Sequence, residues 1–407
     1  MKVAFFTVFF LEHGGGLAKY FIETASNLAK MPPLETDVVT MDDKFTINIS
    51  RMLHIFYMSP VLKMDRRLIY KENIKNIKEN LGNAGYLKAS SIKDLRKKLQ
   101  EYDVIYSKNE ILEAFILKFL VGYNNLPPVI FGCHTPFYYP QTASFQSKLH
   151  NFLYNSFVYR FLTSDVKAFH VLNTFDEKNL QKFFPNKKIV KIHNPLDLNE
   201  LTKLSKEFVF NFKWNEKKFN ILWTGRLAEG KGIPELLRII DYLNNNGYKD
   251  KVIFNIAGDG AKTLRESINK IAKRWNNVNY FGSVEYKYMP SIYSNNDLFV
   301  CTSKWETFSY SVLEAQACGL PAIAFNMPAG PRDIIEPDKT GFLVANEEEF
   351  AEKIIKILTN PNIFKSGMIK KNTSDKFNPK KIYKKLQEML VDFNGDTKDD
   401  EKIDLNK

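Results

Sequence analysis

Disulfides are the first thing this sequence excludes. Its only cysteines are Cys133, Cys301 and Cys318; the number is odd and no C-x-x-C spacing occurs, which argues for a reducing compartment with neither a disulfide framework nor a structural zinc. Apolar runs of membrane-spanning length are also lacking, so no transmembrane helix is expected. The opening MKVAFFTVFFLEHGGG has a short apolar run, one lysine, and glycines where a small-residue cleavage site would stand. It reads as a buried first strand rather than a secretory signal. The dinucleotide fingerprint G-x-G-x-x-G is missing as well: HGGG has the wrong order and no partnered acid follows at the expected distance, so a Rossmann dehydrogenase fits poorly. The adjacent acids Asp42–Asp43 and Asp399–Asp400 have no His or Cys cluster nearby and read as solvated, not as metal ligands.

What is present is a globular composition, 44% hydrophobic and 26% charged over 407 residues, too long for one comfortable core and suited to two domains. The net charge of +12 is uneven: from Lys44 to Gln100 there are 13 Lys and Arg against 4 Asp and Glu. Within that segment Tyr70, Ile74, Ile77 and Leu81 recur at helical spacing, with Lys63, Arg67, Lys71, Lys75 and Lys78 on a neighbouring face. A solvated surface helix is one reading. Attraction of residues 62–99 to an anionic membrane surface is the other, and nucleic acid is not expected, because no nucleic-acid motif accompanies the charge.

Along the chain, short buried strands alternate with helices. VAFFTVFF leads through Gly14, Gly15 and Gly16 into the helical LAKYFIETASNLAK, and DVVTM, DVIYS, PVIFG and AFHVLN follow as strands. After Pro195 the segment LDLNELTKLSKEFVFNFKWNEKKF reads as a connection, and the rhythm restarts with FNILWTG, KVIFNIAG, NVNYFG, DLFVCTS and PAIAF. Such alternation predicts an α/β chain with two doubly wound parallel sheets, each binding ligands at the carboxyl ends of its strands. The expected division is 1–200 and 201–377, with a helix at about 378–393 that could pack back on the first domain and a disordered tail over 395–407.

Chemistry concentrates at the predicted strand ends of the second half. FNILWTG ends in Gly225, then Arg226, with Lys231 and Gly232 ahead of a helix start; a close backbone with a guanidinium and an ammonium suits a diphosphate. Gly258 closes the next strand, and Gly282, Ser283 and Val284 could bed a flat base. In WETFSYSVLE, Thr307 or Ser309 caps a helix whose free N–H groups make an anion site. Glu306 lies just before that helix and Glu314 inside it, roughly 80° apart around the axis and about 12 Å along it. They cannot share one metal, but two carboxylates astride a diphosphate suit a molecule with a sugar on each side. His170, inside a strand, reads as a satisfied core residue.

GRLAEGKG, AGDG, NVNYFG and SKWETFSYSVLEAQACGLPAIAF, in this order and spacing, resemble the retaining glycosyltransferases of family 4, which have the GT-B fold. The likeness covers about the last half of the chain strongly; HGGG, GCHTP and IHNPLD match the first half more loosely, and NMPAGPRDII resembles members that build cell-surface glycans on lipid carriers. The resemblance implies that Arg226 and Lys231 hold a donor diphosphate, Glu314 the ribose hydroxyls, and that Glu306 faces the transferred sugar. It places Gly15 and Gly16 near the phosphate and the acceptor, His134 on the donor sugar, and Thr307, Phe308 and Ser309 along the donor. It further implies a front-face substitution without a metal or other cofactor, a nucleotide-sugar donor, and a glycan or lipid-linked acceptor on the first domain, in the cytoplasm or at the inner face of the cell membrane. Family members often carry an acid after the histidine, where this chain has Thr135, and glycine at positions 307 and 309. A GT-B epimerase or phosphorylase, and a non-enzymatic basic lipid or nucleic-acid binder, are the alternatives. The aromatic stretch from His134, with Leu149, Phe152, Leu153, Ser156, Phe157, Arg160 and Phe161 at helical spacing, reads first as an ordinary packing face; the alternative is that part of it, with the basic helix, rests on the membrane where a lipid-linked acceptor waits.

Overall fold

The computed structural model describes residues 1–8, 16–42, 79–137, 139 and 145–403. Gly15 and the basic stretch over 62–78 therefore lie outside the described residues, as does His13. Two all-parallel sheets organise the rest. The first has seven strands in the order β3-β2-β1-β4-β5-β6-β7: β1 (Lys2–Thr7), β2 (Glu35–Met41), β3 (Gly85–Ala89), β4 (Val104–Lys108), β5 (Val129–Cys133), β6 (Ala168–Val171) and β7 (Lys188–Lys191). The second has six in the order β10-β9-β8-β11-β12-β13: β8 (Phe219–Thr224), β9 (Val252–Ala257), β10 (Val278–Gly282), β11 (Leu298–Cys301), β12 (Ala322–Phe325) and β13 (Gly341–Val344).

Helices cover both faces, so the central strands are apolar without alternation; in β1 every residue after Lys2 is buried. The chain order reverses between β1 and β4 in one sheet and between β8 and β11 in the other. Those are the switch points where crevices open at the carboxyl ends of parallel strands.

The two sheets share packing. One apolar cluster joins Phe5, Phe21 and Tyr106 of the first to Phe299, Val312 and Leu313 of the second, and takes in Ile382, Leu386 and Leu390 of the C-terminal helix. That helix, Pro379–Ile403, returns to the first domain: Asn27 Nδ2 donates to Tyr383 Oη at 3.2 Å, and Gln387 Nε2 donates to the Met31 and Pro32 carbonyls at 3.1 and 2.9 Å. The expectation of a disordered tail covers 395–407; the described helix runs to Ile403, and residues 404–407 lie outside the described residues. Once the packed part has nucleated the helix, each further residue adds a hydrogen bond at little cost. The packing face expected from Leu149 to Phe161 is corrected: Ser156 caps a new helix, Phe157–Leu162, accepting from the Tyr159 N–H at 3.2 Å, and that break in register leaves Phe152, Phe157 and Phe161 exposed.

The chain crosses between domains twice, and the crossings touch: the Leu196 N–H donates to the Phe377 carbonyl at 3.1 Å. The first crossing comes before residue 200, because helix Leu198–Glu207 already packs against Met289–Ser294 of the second domain. Its Asp197 cap supplies the stop and start that the connection needs, accepting from the Asn199 and Glu200 N–H groups at 2.9 and 3.2 Å.

Candidate functional site

Strand ends around the two switch points deliver the polar residues. Beyond β8, Gly225, Gly258 and Gly282 form a stepped row: the Gly225 N–H donates to the Ala257 carbonyl at 3.1 Å and the Gly258 N–H to the Gly282 carbonyl at 2.7 Å. Gly258 has φ +145°, and a Cβ there would lie 1.8 Å from the Gly225 oxygen, so this close approach requires glycine. Arg226 is exposed just past the row, Ser283 is exposed and Val284 half-buried beside it.

Lys231 closes a short 3-10 turn, Glu229–Lys231, ahead of helix Ile233–Leu243. Its Nζ sits 2.5 Å from Glu306 Oε1, and Ser303 Oγ donates to the same oxygen at 2.9 Å. The ammonium and the carboxylate thus meet each other in this state. An ammonium has three donors, so one N–H given to Glu306 leaves two for an anion. Gly330, at φ +73°, packs on Glu306: a Cβ there would lie 2.4 Å from the Glu306 Cβ.

Helix Tyr310–Ala317 begins at Ser309, whose side chain makes no capping bond. A capping role for the Thr307 or Ser309 hydroxyl is thereby corrected: both residues are buried, and the Thr307 carbonyl instead accepts from Asn173 Nδ2 of the first domain at 3.0 Å. The backbone N–H groups of residues 307–310 have no acceptor among the described residues, leaving the donors that an anion site uses. Phe308 stacks on His193, ring centroids 6.1 Å apart. Glu314, buried inside the helix, accepts from Tyr293 Oη at 3.1 Å and also interacts with the Tyr286 hydroxyl.

On the facing wall, Gly16 opens helix Gly16–Leu28 and His134 follows β5. His134 Nε2 lies 3.0 Å from Tyr106 Oη, which lies 2.7 Å from His170 Nδ1; His170 Nε2 lies 2.8 Å from the Ile192 carbonyl. A carbonyl only accepts, so His170 Nε2 carries the proton. Burial draws His170 down to about 4, so the ring is neutral and its Nδ1 accepts from Tyr106. The Tyr106 oxygen then accepts from His134 Nε2–H. His134, held well below the ordinary imidazole range by burial, then by His170 and Lys108, is therefore neutral with Nδ1 as its remaining acceptor.

Sequence reasoning missed Tyr106, His170 as a partner of the site, and Glu110. Thr135 Oγ1 donates to Glu110 Oε1 at 3.2 Å, and Lys108 Nζ sits 3.0 Å from that oxygen. Burial lifts the Glu110 carboxyl, but Lys108, the Tyr154 hydroxyl and His150 together outweigh it and leave it below its ordinary value. A carboxylate thus sits against Thr135, brought from just beyond the end of β4.

The two walls meet. Tyr139 and Trp305 lie edge to face at 5.6 Å, Thr174 Oγ1 donates to Asp333 Oδ1 at 2.7 Å, and one narrow cavity is lined by Pro136, Phe175 and Asp176 from the first domain with Trp305, Glu306 and Met327 from the second.

Comparison with known proteins fits this geometry. The chain is 34% identical over 177 residues to an "Uncharacterized 41.2 kDa protein in cps region" of Klebsiella pneumoniae, covering 43% of this chain and 46% of that protein. It is 27% identical over 179 residues to the capsular polysaccharide biosynthesis glycosyltransferase CapM of Staphylococcus aureus, again 43% and 46%. The matched segment spans about half the length of these curated relatives. Anabaena HepE, solved in complex with UDP and glucose, superposes with TM-score 0.66 at 16% identity over 96% of this chain and 100% of that one. The described chain has the GT-B fold, and residues 205–375 match the family described as Glycosyl transferases group 1.

Proposed function

We propose that the protein is a retaining glycosyltransferase of family 4 that moves a hexose or N-acetylhexosamine from a nucleotide-diphosphate sugar, UDP-linked by preference, to a glycan or lipid-linked acceptor in cell-surface polysaccharide synthesis. The observation that carries this reading is the Lys231–Glu306 pair beside unpaired helix N–H groups, at a switch point in a cavity that Pro136, two residues after His134, also lines.

In this reading Arg226, the two remaining Lys231 donors and the N–H groups of residues 307–310 hold the diphosphate and stabilise charge growing on it as the glycosidic bond breaks. Glu314 accepts from ribose hydroxyls, and Gly282, Ser283 and Val284 flank the base. Glu306 Oε2 has no partner among the described residues and accepts from a hydroxyl of the transferred sugar. His134 accepts through Nδ1, so it binds a hydroxyl rather than donating a proton. The departing diphosphate takes up the acceptor proton on the same face of the sugar, and the anomeric configuration is kept. The acceptor binds the first domain. The UDP complex of HepE and the capsular role in the name of CapM support the donor and the pathway type.

Purified protein incubated with a panel of nucleotide sugars tests the reading. A uridine donor is expected to raise the thermal midpoint and to release nucleotide only when acceptor is added, with an axial product from an axial donor by proton NMR. Stabilisation by no member of the panel, with folded protein, overturns it. Turnover that inverts the product overturns the retaining part alone.

A further inference from the structure

The second domain holds a cavity that the donor reading does not use. It opens beyond the carboxyl ends of β11, β12 and β13, every residue described on its wall belongs to that domain, and its volume is about 500 Å³. Cavities of this size hold small ligands, and this end of a parallel sheet is where ligands enter. It also adjoins the Glu306 site. Met327 and Pro328 line both this cavity and the narrow one beside Glu306, and Ser303, on its wall, is the hydroxyl that donates to Glu306 Oε1.

Part of the wall is apolar, supplied by Phe325, Met327, Pro328 and Ala345. The rest is rich in acceptors. Arg238 donates to Glu347 at 2.7 and 2.9 Å and to Glu235 Oε1 at 3.0 Å, and Lys304 Nζ lies 3.3 Å from that same Glu235 oxygen. Both cations are therefore already held by carboxylates. Glu348 is exposed with no ion pair among the described residues, Asn326 is exposed beside it on the wall, and Glu235 Oε2 has no hydrogen-bond partner. Helix Glu347–Thr359 begins here at its Asn346 cap, but its positive end meets Glu347, Glu348 and Glu349 in the first turn. The cavity thus offers acceptors and repels anions, which sets phosphate and acidic sugars aside. A neutral or amino pyranose matches it, with apolar C–H faces and hydroxyl or ammonium donors around its rim.

We propose that this cavity is a glycan-binding subsite that takes a neutral or amino pyranose unit, its C–H face on Met327 and Pro328 and its donors on Glu348 and the Asn326 side-chain oxygen. The shared wall lets a glycan seated here run on toward Glu306. The inference does not require the transferase reading.

Saturation-transfer NMR on the full chain, with methyl α-glucoside, glucosamine and glucuronic acid as probes, tests it. Transfer is expected to the first two and not to the third. Ala345→Trp, which sets an indole in the cavity from an exposed position, should abolish the transfer. Glu348→Lys should weaken the glucosamine signal about threefold or more and admit glucuronic acid. Both side chains are already in water, so each variant should keep its thermal midpoint. Absence of transfer to all three probes overturns the proposal, as does transfer that survives Ala345→Trp or that reaches glucuronic acid equally in the unaltered chain. A chain that is stabilised by a nucleotide sugar but takes none of the three probes loses this inference alone. One that takes the probes here but is stabilised by no member of the donor panel loses only the transferase reading.

Discussion

At the scale of single residues, the buried imidazoles tie stability to pH with a definite sign. His170 titrates at about 4 in the folded chain and near 6.5 when unfolded, so between those values the unfolded chain binds the extra proton and stability rises with pH, by about 3 kcal/mol in all. Glu113 runs oppositely: burial lifts it from 4.5 to about 7, so its contribution is present at low pH and lost as pH rises through that window. Urea denaturation of His170→Gln should therefore show the unaltered chain gaining stability over the variant from pH 4.5 to 6.5; parallel curves would contradict the assignment. At the ion pair, Glu306→Gln should lower kcat about 100-fold or more while calorimetry finds nucleotide affinity within a few fold. Lys231→Ala should lower both, because on the proposed reading it would leave the Glu306 carboxylate unneutralised beside the diphosphate. Glu306 and Lys231 were legible because each stands in a short motif with a chemical spacing. Tyr106, Glu110 and the site partnership of His170 were not. They are brought together by lateral order: β4, β5 and β6 are adjacent, with Tyr106 opposite Ile130 and Gly132 opposite His170, and no local pattern encodes which strands lie side by side.

At the scale of elements, the braced histidine and the glycine behind Glu306 make separable expectations. Tyr106→Phe removes the hydroxyl between His134 and His170, so kcat should fall about tenfold, the worth of one hydrogen bond, with nucleotide binding kept. The nitrogen-15 spectrum of His134 should then show a mixture of ring tautomers where the unaltered chain shows only the Nε2–H form. Gly330→Ala places a methyl against Glu306 at a backbone angle that disfavours it, and should cost about 1–3 kcal/mol in denaturant titration. Central strands such as β1, β8 and β9 were readable because burial on both faces writes an unbroken apolar run. β3, β7 and β13 were not singled out, and each is an edge strand; of the four edges only β10, NVNYFG, was read. Edge strands are short and tolerate lysine, as GYLKA and KIVK show. The cap at Ser156 was equally silent, since the helical spacing of the aromatics continues through it.

At the scale of the whole molecule, the C-terminal helix belongs structurally to the domain that begins the chain. Leu386→Ala, in the cluster shared with Phe21 and Leu28, should destabilise by about 2–5 kcal/mol, read as a lower urea midpoint, even though the residue lies after the second domain. The two-sheet plan was visible in the strand rhythm, whereas the polar contacts between lobes, Asn173 with Thr307 and Thr174 with Asp333, pair residues more than a hundred positions apart and carry no composition signal. The touching crossings at Leu196 and Phe377 give the assembly a mechanical character. Both covalent ties run through one seam, beside the apolar cluster that the two lobes share. The polar contacts lie close to that seam, since His193, just before Leu196, reaches Asp333 at 3.8 Å and packs on Phe377, so hydrogen bonds, apolar burial and covalent ties hold the lobes together at one place.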